Sequence, residues 1–151
     1  VTELTIAEWQ QTMTINATGS FLVSRAAARR MTGGAITLLT SVAYGRGDEV
    51  EPSAHYSSSK GAVVSLTRQL SVELGGAGIR VNAVAPGPYW TVLQSSGGQP
   101  MEKVKEFGGD TPLGRPGQPV EIAPLYVTLA SDECSFTSGQ VWCSDGGDGV
   151  I

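Results

Sequence analysis

The chain of 151 residues has little cysteine, histidine or basic charge: two cysteines, one histidine, and ten lysines and arginines together. Two isolated cysteines, Cys134 and Cys143, are too few for a disulfide framework or a metal site. A net charge of −4 argues against nucleic-acid binding, which needs clustered lysines and arginines. No apolar run reaches the roughly 18 residues of a membrane-spanning helix. With 40% apolar residues, we expect one cytoplasmic globular domain with no metal, nucleic-acid or membrane partner.

The most informative feature that is present is a tyrosine followed four residues later by a lysine, Tyr56 and Lys60. The residues after them, 61–74, are typical of a helix, and residues i and i+4 of a helix lie on the same face. The spacing therefore predicts an ammonium within a few ångströms of a phenol. One cation at ~4 Å, with an effective dielectric of ~20, favours the ionised phenol by about 4 kcal/mol. That is enough to make the phenol a general acid and base near neutral pH.

Two runs of apolar and β-branched residues flank this pair, at 35–39 and 79–85. Each run predicts a buried strand, so that strand, loop, helix and strand form a βαβ unit of a parallel sheet. In open parallel sheets, ligands bind beyond the carboxyl ends of the strands. Ser41 follows the first strand, and Pro86 and Gly87 follow the second. We therefore expect these residues to lie at the same edge of the sheet as the tyrosine.

A stretch in the first predicted helix, 12–19, contains residues with low helix propensity, among them several threonines, Asn16 and a glycine. Such a stretch predicts a local distortion of the helix that frees a backbone carbonyl. Further along the chain, Thr91 completes a Pro-Gly-x-x-x-Thr pattern that begins at Pro86. Each of these patterns is weak alone, but their order and spacing are specific.

Together, these patterns resemble the short-chain dehydrogenase/reductase family, in its single-domain branch, over essentially the whole chain. The loop sequences are similar to a bacterial subgroup described as glucose-dehydrogenase-like or aldehyde-reductase-like. Besides the Tyr-x-x-x-Lys pair, the resemblance is carried by Ile15-Asn16-Ala17-Thr18-Gly19, Thr40-Ser41-Val42-Ala43 and residues 80–91, 96–100, 112–119, 138–140 and 145–147.

The resemblance implies an α/β fold, a three-layer Rossmann-type domain with a parallel sheet. It also implies hydride transfer between NAD or NADP and a small-molecule alcohol or carbonyl substrate. Tyr56 would exchange a proton with the substrate oxygen, while Lys60 would favour the ionised phenol and bind the nicotinamide ribose. Ser41 would orient the substrate oxygen and stabilise its developing charge. Asn16 would hold, at the helix distortion, a water linked to the lysine.

The resemblance assigns further cofactor contacts to the loop after the second strand. Pro86 and Gly87 would bring the backbone close to the nicotinamide, and Thr91 would contact its carboxamide. Backbone groups near Tyr89 would join them, although a tyrosine replaces the usual aliphatic residue at that position. Tyr56 and Lys60 complete the implied set of cofactor contacts.

One part of the family pattern is not found, the glycine-rich turn that leads into a helix and holds the cofactor pyrophosphate. We therefore expect residues 1–151 to be the carboxyl-terminal part of one Rossmann-type oxidoreductase domain, comprising its catalytic and substrate-binding half, with the amino-terminal half absent from this chain. The interval between Ser41 and Tyr56 is also slightly longer than is usual, and the extra residues fall in an acidic loop at 48–52.

Two other functions stay open from the sequence. An epimerase or dehydratase of the extended branch also uses a Tyr-x-x-x-Lys pair, but it would have a long carboxyl-terminal substrate domain. A non-catalytic fragment is favoured if the chain is complete as given. For the whole protein we expect a homodimer or homotetramer. The helices at 6–30 and 56–75 carry more apolar surface than one sheet face covers, and related proteins pair them in a four-helix bundle.

Overall fold

A computed structural model of the protein describes residues 1–45, 53–96 and 100–149. The acidic loop at 48–52 and the middle of the 96–100 motif lie outside the described residues. In chain order, the helices and strands are α1 (Ile6–Met13), a π-helical segment (Thr14–Thr18), α2 (Gly19–Ala28), β1 (Gly34–Leu39), a 3-10 turn (Val42–Tyr44), α3 (Ala54–Gly75), β2 (Ile79–Pro86), α4 (Val92–Ser96), α5 (Met101–Glu106), α6 (Pro119–Ala130), a 3-10 turn (Asp132–Cys134) and β3 (Val141–Ser144).

The three strands form one parallel sheet in the order β1-β2-β3. The central strand β2 is apolar except for Arg80 and Asn82, and its residues are mostly buried, as is typical of strands in parallel sheets. Its one interior amide, Asn82, is buried; the side chain donates to the Thr137 carbonyl (2.8 Å) and accepts from the Gln140 N–H (3.1 Å). The βαβ unit predicted from the sequence is confirmed.

Helix α3 packs against the sheet and supplies two of the six residues of the hydrophobic core cluster. Its buried side chains at three- and four-residue steps follow the helical period of 3.6 residues, so that they form one face toward the sheet. The core cluster is made of the buried side chains Leu38, Val63, Leu70, Ile79, Val81 and Ala83. Because the cluster joins the helix to β1 and β2, it fixes the amino end of α3 relative to the carboxyl ends of these strands.

The first helix is interrupted where the sequence analysis expected a distortion. The π-helical segment includes Asn16, and at its end the Gly19 N–H donates to the Thr14 carbonyl, five residues back. Ahead of it, Thr5 and Glu8 form a capping box, with the Thr5 N–H 2.9 Å from a Glu8 carboxylate oxygen. The wider turn shifts α2 relative to α1, so that Asn16 lies in a segment without the regular α-helical pattern of hydrogen bonds.

The strands end together at one edge of the sheet. The Thr40 N–H, just after β1, donates to the Val84 carbonyl at 2.9 Å. Pro86 at the end of β2 pairs in register with Ser144 at the end of β3. This carboxyl edge is where the loops bearing Ser41 and Gly87 begin. In the part of the chain that the structure describes, no helix combines the length and the apolar content that crossing a membrane requires.

Candidate active site

Tyr56 and Lys60 lie on the first two turns of α3, at the carboxyl edge of the sheet. The Lys60 Nζ is 5.5 Å from the centre of the Tyr56 ring. Their environments differ sharply: Tyr56 is 37% exposed, whereas Lys60 is only 9% exposed. The pair thus presents a phenol to solvent and keeps the neighbouring ammonium inside the protein.

The end of β1 holds Lys60 on both its side chain and its backbone. The Lys60 Nζ donates to the Leu39 carbonyl at 3.3 Å, and the buried Thr40 hydroxyl donates to the Lys60 carbonyl at 2.9 Å. Burial disfavours the charged amine and lowers the pKa of Lys60 from its ordinary value. Because an ammonium has three N–H donors, it retains donors beyond the one that it gives to Leu39.

Ser41 follows Thr40 directly and begins the 3-10 turn at Val42–Tyr44. Its hydroxyl oxygen accepts from the Ala43 N–H at 3.2 Å. A serine hydroxyl that accepts one bond still has its own proton to donate, so this contact fixes the side chain without consuming its donor. Ser41 is therefore one residue away from the bond that links β1 to Lys60.

Asn16 reaches the same region from the π-helical segment. Its side-chain Nδ2 donates to the hydroxyl of Ser59 at 2.9 Å, one residue before Lys60. Its backbone carbonyl accepts from the Ser20 hydroxyl at 2.6 Å. A carbonyl has two lone pairs, so a water could bind there as well. The water-holding role stays a prediction, while the side chain has a contact that the sequence analysis did not foresee.

The loop after β2 brings the other predicted residues together, but largely with one another and with β3. The Gly87 N–H donates to the Ser144 carbonyl at 2.9 Å. A side chain at Gly87 would begin 2.7 Å from both Cα and Cβ of Asp145, so only glycine fits there without a shift. Close approach to β3 is therefore sufficient to explain this glycine, independently of any contact with a nicotinamide.

Tyr89 and Thr91 also have partners within the protein. The Tyr89 hydroxyl lies 2.5 Å from the Ser144 hydroxyl, and its ring packs against Gly117. The Thr91 hydroxyl donates to the side-chain oxygen of Gln94 at 2.7 Å and accepts from the Leu93 N–H at 3.3 Å, which caps α4. The predicted contacts of both residues with a cofactor stay predictions.

An exposed ion pair steadies the segment that carries Gly117. Arg115 lies 2.7 Å from Glu121 at the start of α6, and the same carboxylate accepts from the Gln118 N–H at 2.7 Å. Hydrogen bonds from Arg115 and Gln118 lower the pKa of Glu121 to about 2. The carboxylate therefore keeps its charge at any pH where the protein is expected to work, and this anchor does not titrate with the site.

Sequence reasoning missed two polar residues of this site, Thr40 and Ser59. Both are buried hydroxyls that contact the backbone of the Tyr-x-x-x-Lys segment. Their only signal in the sequence is their position, since Thr40 precedes Ser41 and Ser59 lies between the tyrosine and the lysine. In the described parts of the chain, no group of three or more His, Cys, Asp or Glu side chains could hold a metal ion.

Several known proteins with similar sequences are named as oxidoreductases or dehydrogenase homologs. The chain is 40% identical over 151 residues to the uncharacterized oxidoreductase YghA of Escherichia coli, covering 98% of this chain and 50% of that protein. It is 39% identical over 156 residues to a glucose and ribitol dehydrogenase homolog of Oryza sativa subsp. japonica, covering 97% and 51%. The chain thus spans about half the length of the curated relatives it matches.

Solved structures give the same result for the fold. A short-chain type dehydrogenase/reductase from Mycobacterium marinum superposes with a TM-score of 0.91 at 35% identity, over 100% of this chain and 60% of that one. The 3-oxoacyl-[acyl-carrier protein] reductase from Brucella melitensis gives a TM-score of 0.86 at 35% identity, over 97% and 55%. Residues 1–148 match the family model described as enoyl-(acyl carrier protein) reductase. The predicted Rossmann-type fold is confirmed, and the chain belongs to the short-chain dehydrogenase/reductase family.

Proposed function

We propose that the protein containing this chain transfers a hydride between NAD or NADP and a small-molecule alcohol or carbonyl substrate. The observation that carries the proposal is the exposed phenol of Tyr56 beside the buried ammonium of Lys60, at the carboxyl edge of a parallel sheet. Ligands of open parallel sheets bind at this edge. Membership of a family of oxidoreductases, and relatives named as glucose and ribitol dehydrogenase homologs, support the same reaction class.

In this proposal Tyr56 is the general acid and base. When a carbonyl is reduced, the phenol gives its proton to the substrate oxygen; when an alcohol is oxidised, the phenolate takes the proton back. The Lys60 ammonium lies beside the Tyr56 ring, where its positive charge would stabilise the negative charge that develops on the phenol oxygen as the proton is transferred. The phenol is exposed enough to reach a substrate from solvent.

Ser41 supplies the second contact to the substrate oxygen. Its hydroxyl proton is free to point outward, because the oxygen is held by the Ala43 N–H. A donor aimed at the oxygen where charge develops lowers the barrier, and general acid–base and electrostatic contributions of this kind are each worth about 10²-fold or more. Tyr56 and Ser41 would hold the oxygen between them.

The donor set at this edge fits the nicotinamide end of a dinucleotide. Lys60 keeps N–H donors suited to ribose hydroxyls, and Tyr56 offers a further hydroxyl. The backbone at Pro86, Gly87 and Tyr89 and the hydroxyl of Thr91 would line the nicotinamide. When bound, the cofactor supplies or accepts the hydride, and the residues named here orient it and manage the proton.

The decisive test is Tyr56→Phe in the full-length protein, measured with NAD(P)H and a panel of aldehydes and ketones. We expect kcat to fall by about 10²- to 10⁴-fold, the usual contribution of a general acid, while the cofactor dissociation constant changes little. Tyr126→Phe, on helix α6, removes a tyrosine hydroxyl outside the Tyr-x-x-x-Lys segment and is the control, which should keep the parent rate. A Tyr56→Phe variant that retained about a tenth of the parent's rate would contradict the assignment.

We also propose that the full-length protein forms a homodimer or homotetramer through α1, α2 and α3. The interface can be tested only at an apolar residue of α3 that does not also support the core. Leu66 packs against the core cluster, so a substitution there would disturb the fold as well as the interface. Val72 is 77% exposed on the same helix, and Ile15 is exposed on the π-helical segment. Exposed apolar side chains on two adjacent helices suit a helix-to-helix contact with a second copy.

Val72→Glu tests this assembly without disturbing the core. A charge placed in an apolar interface costs several kcal/mol, so we expect the variant to sediment as a smaller species than the parent. Val92→Glu on α4, where the parent residue is equally exposed, should sediment like the parent. A monomeric parent at micromolar concentration, or an unchanged Val72→Glu oligomer, would contradict the proposed interface.

A further inference from the structure

A short chain of hydrogen bonds runs from the π-helical segment to the backbone of Tyr56. The Asn16 Nδ2 donates to the Ser59 hydroxyl at 2.9 Å, and that hydroxyl donates to the Tyr56 carbonyl at 2.7 Å. Ser59 is 0% exposed, so water does not compete for either bond. One side chain thus connects the distorted helix to the residue that bears the phenol.

The start of this chain is itself held in place. The Asn16 carbonyl accepts from the Ser20 hydroxyl at 2.6 Å, and the Gly19 N–H closes the π turn onto the Thr14 carbonyl. The Asn16 side chain therefore projects from a segment whose backbone is bonded on both sides. A π turn is an uncommon conformation that often occurs at functional sites, and here its effect is to place an amide donor opposite Ser59.

The end of the chain acts on the first turns of α3. In an α-helix the Tyr56 carbonyl accepts from the backbone N–H four residues later, and its second lone pair is available to a side chain. Ser59 uses that lone pair. The turn that carries both Tyr56 and Lys60 is therefore tied to the π-helical segment through Ser59, and to β1 through the Thr40 bond to the Lys60 carbonyl.

We infer that Ser59 is a positioning residue: by linking Asn16 to the Tyr56 carbonyl, it fixes the height and rotation of the phenol at the carboxyl edge. This inference rests on the proposed function of Tyr56 as the acid and base. Misplacement of a reacting group by about 1 Å can cost about 10²-fold in rate, so a bond that sets the first turn of α3 matters more for kcat than for binding.

Helix α3 provides a matched control in Thr67. Like Ser59, Thr67 is 0% exposed and its hydroxyl donates to a carbonyl of the same helix, that of Val63 at 2.8 Å. In the hydrogen bonds that the structure describes, Ser59 differs by its additional bond to Asn16 and by its place beside the catalytic pair. Removing the Ser59 hydroxyl takes the acceptor away from the Asn16 amide, whereas removing the Thr67 hydroxyl leaves the Val63 carbonyl with its helical backbone bond. Each change loses one buried hydrogen bond and is expected to lower stability.

The experiment compares Ser59→Ala and Thr67→Val in the full-length protein, with Ser59→Cys as a variant that preserves size and a weak donor. We expect Ser59→Ala to lower kcat by about tenfold or more while the KM for NAD(P)H stays within about twofold, the pattern of a lost transition-state interaction. Thr67→Val should lower the melting temperature but keep kcat. Ser59→Cys should lie between the parent and Ser59→Ala, and it remains measurable if the alanine variant does not fold.

A double-mutant cycle with Asn16→Ala identifies the route of the effect. If Asn16 acts on Tyr56 through Ser59, the double variant should be no slower than the slower single variant, because residues in one network are not additive. If the activation free energies lost in Asn16→Ala and Ser59→Ala add fully in the double variant, the linkage is overturned. Equal losses of kcat in Thr67→Val and Ser59→Ala would overturn it as well. A parent that turns over while Ser59→Ala keeps its kcat contradicts only this inference. A parent without redox turnover contradicts the proposed function, and the inference is overturned with it.

Discussion

The amino end of α3 and the loop after β2 lie at the same edge of the sheet, but their polar groups are used differently. At the amino end of α3, the buried Thr40 hydroxyl holds the backbone and the Leu39 carbonyl holds the lysine, while Tyr56 is left partly exposed. In the loop, the hydroxyls of Tyr89 and Thr91 and the N–H of Gly87 all have partners inside the protein. The first region leaves a phenol exposed, and the second uses its polar groups to hold the path of the backbone.

The difference follows from the elements on which the residues lie. A helix supplies its own backbone hydrogen bonds, so its side chains are left for outside contacts. An irregular loop has no such ladder, and its backbone groups and hydroxyls must find partners nearby or in water. The hydrogen bonds and packing of the loop therefore already explain why Gly87, Tyr89 and Thr91 occur at their positions. No comparable contact explains an exposed phenol at Tyr56 beside a buried ammonium at Lys60.

The largest effect that would break this comparison is expected at Gly87. In Gly87→Ala the new methyl would lie 2.7 Å from the backbone of Asp145, which β3 holds in place. Overpacking of this kind costs about 1–3 kcal/mol, and we expect the loss in the free energy of unfolding to lie at the upper end because the obstacle is backbone. Chemical denaturation of the full-length protein measures it.

Gly61 is the matched control for Gly87. It lies inside α3, and no described atom outside its own helix turn comes within 4 Å of the methyl that an alanine would add. Gly61→Ala should therefore stabilise the protein by about 0.5–1 kcal/mol, the difference in helix propensity. A Gly87→Ala variant as stable as the parent would mean that the loop is not fixed by close packing and that its glycine serves another purpose.

A smaller effect, on the pH dependence of stability, is expected at the amino end of α3, where Lys60 is buried. Burial lowers the pKa of Lys60 below the ordinary lysine value of 10.5, which applies in the unfolded chain. Between the two pKa values the unfolded state binds more protons than the folded state, so stability rises with pH in that window. Below the lowered pKa, Lys60 is protonated in both the folded and the unfolded state, so it adds no further pH dependence to the free energy of unfolding. The folded state then bears the cost of a buried charge.

Lys60→Met removes this contribution. The comparison is best made in a Tyr56→Phe background, where the neighbouring phenol cannot titrate. We expect the lysine-containing protein to gain stability relative to its methionine variant as the pH rises toward 10.5, by urea denaturation at a series of alkaline pH values. A difference between the Lys60 proteins that is constant with pH would mean that the burial of Lys60 has no effect on its protonation.

Much of this arrangement was predictable because it rests on local patterns. Runs of apolar and β-branched residues predicted β1 and β2, and the residues after the Tyr-x-x-x-Lys pair predicted α3. Weak helix propensity predicted the distortion around Asn16, which the structure describes as a π-helical segment. The spacing of Tyr56 and Lys60 was sufficient to place both on one face of α3. Ser59 and Thr40 were not predictable, because a serine or threonine between two motif residues carries no signal of what it will contact.

The sequence alone determined the first helix with its distortion, the parallel βαβ unit and the face that Tyr56 and Lys60 share, because these depend on residue spacing and on short-range conformational preference. Only the tertiary structure decided which polar groups at the carboxyl edge are hydrogen-bonded within the protein and which are left exposed. Packing of the first helix onto α3 brings Asn16 to Ser59, 43 residues away in the chain. The pairing of β2 with β3 brings Asp145 so close to Gly87 that a side chain would not fit there. Contacts between residues so far apart in the chain depend on the fold as a whole, and no local pattern encodes them.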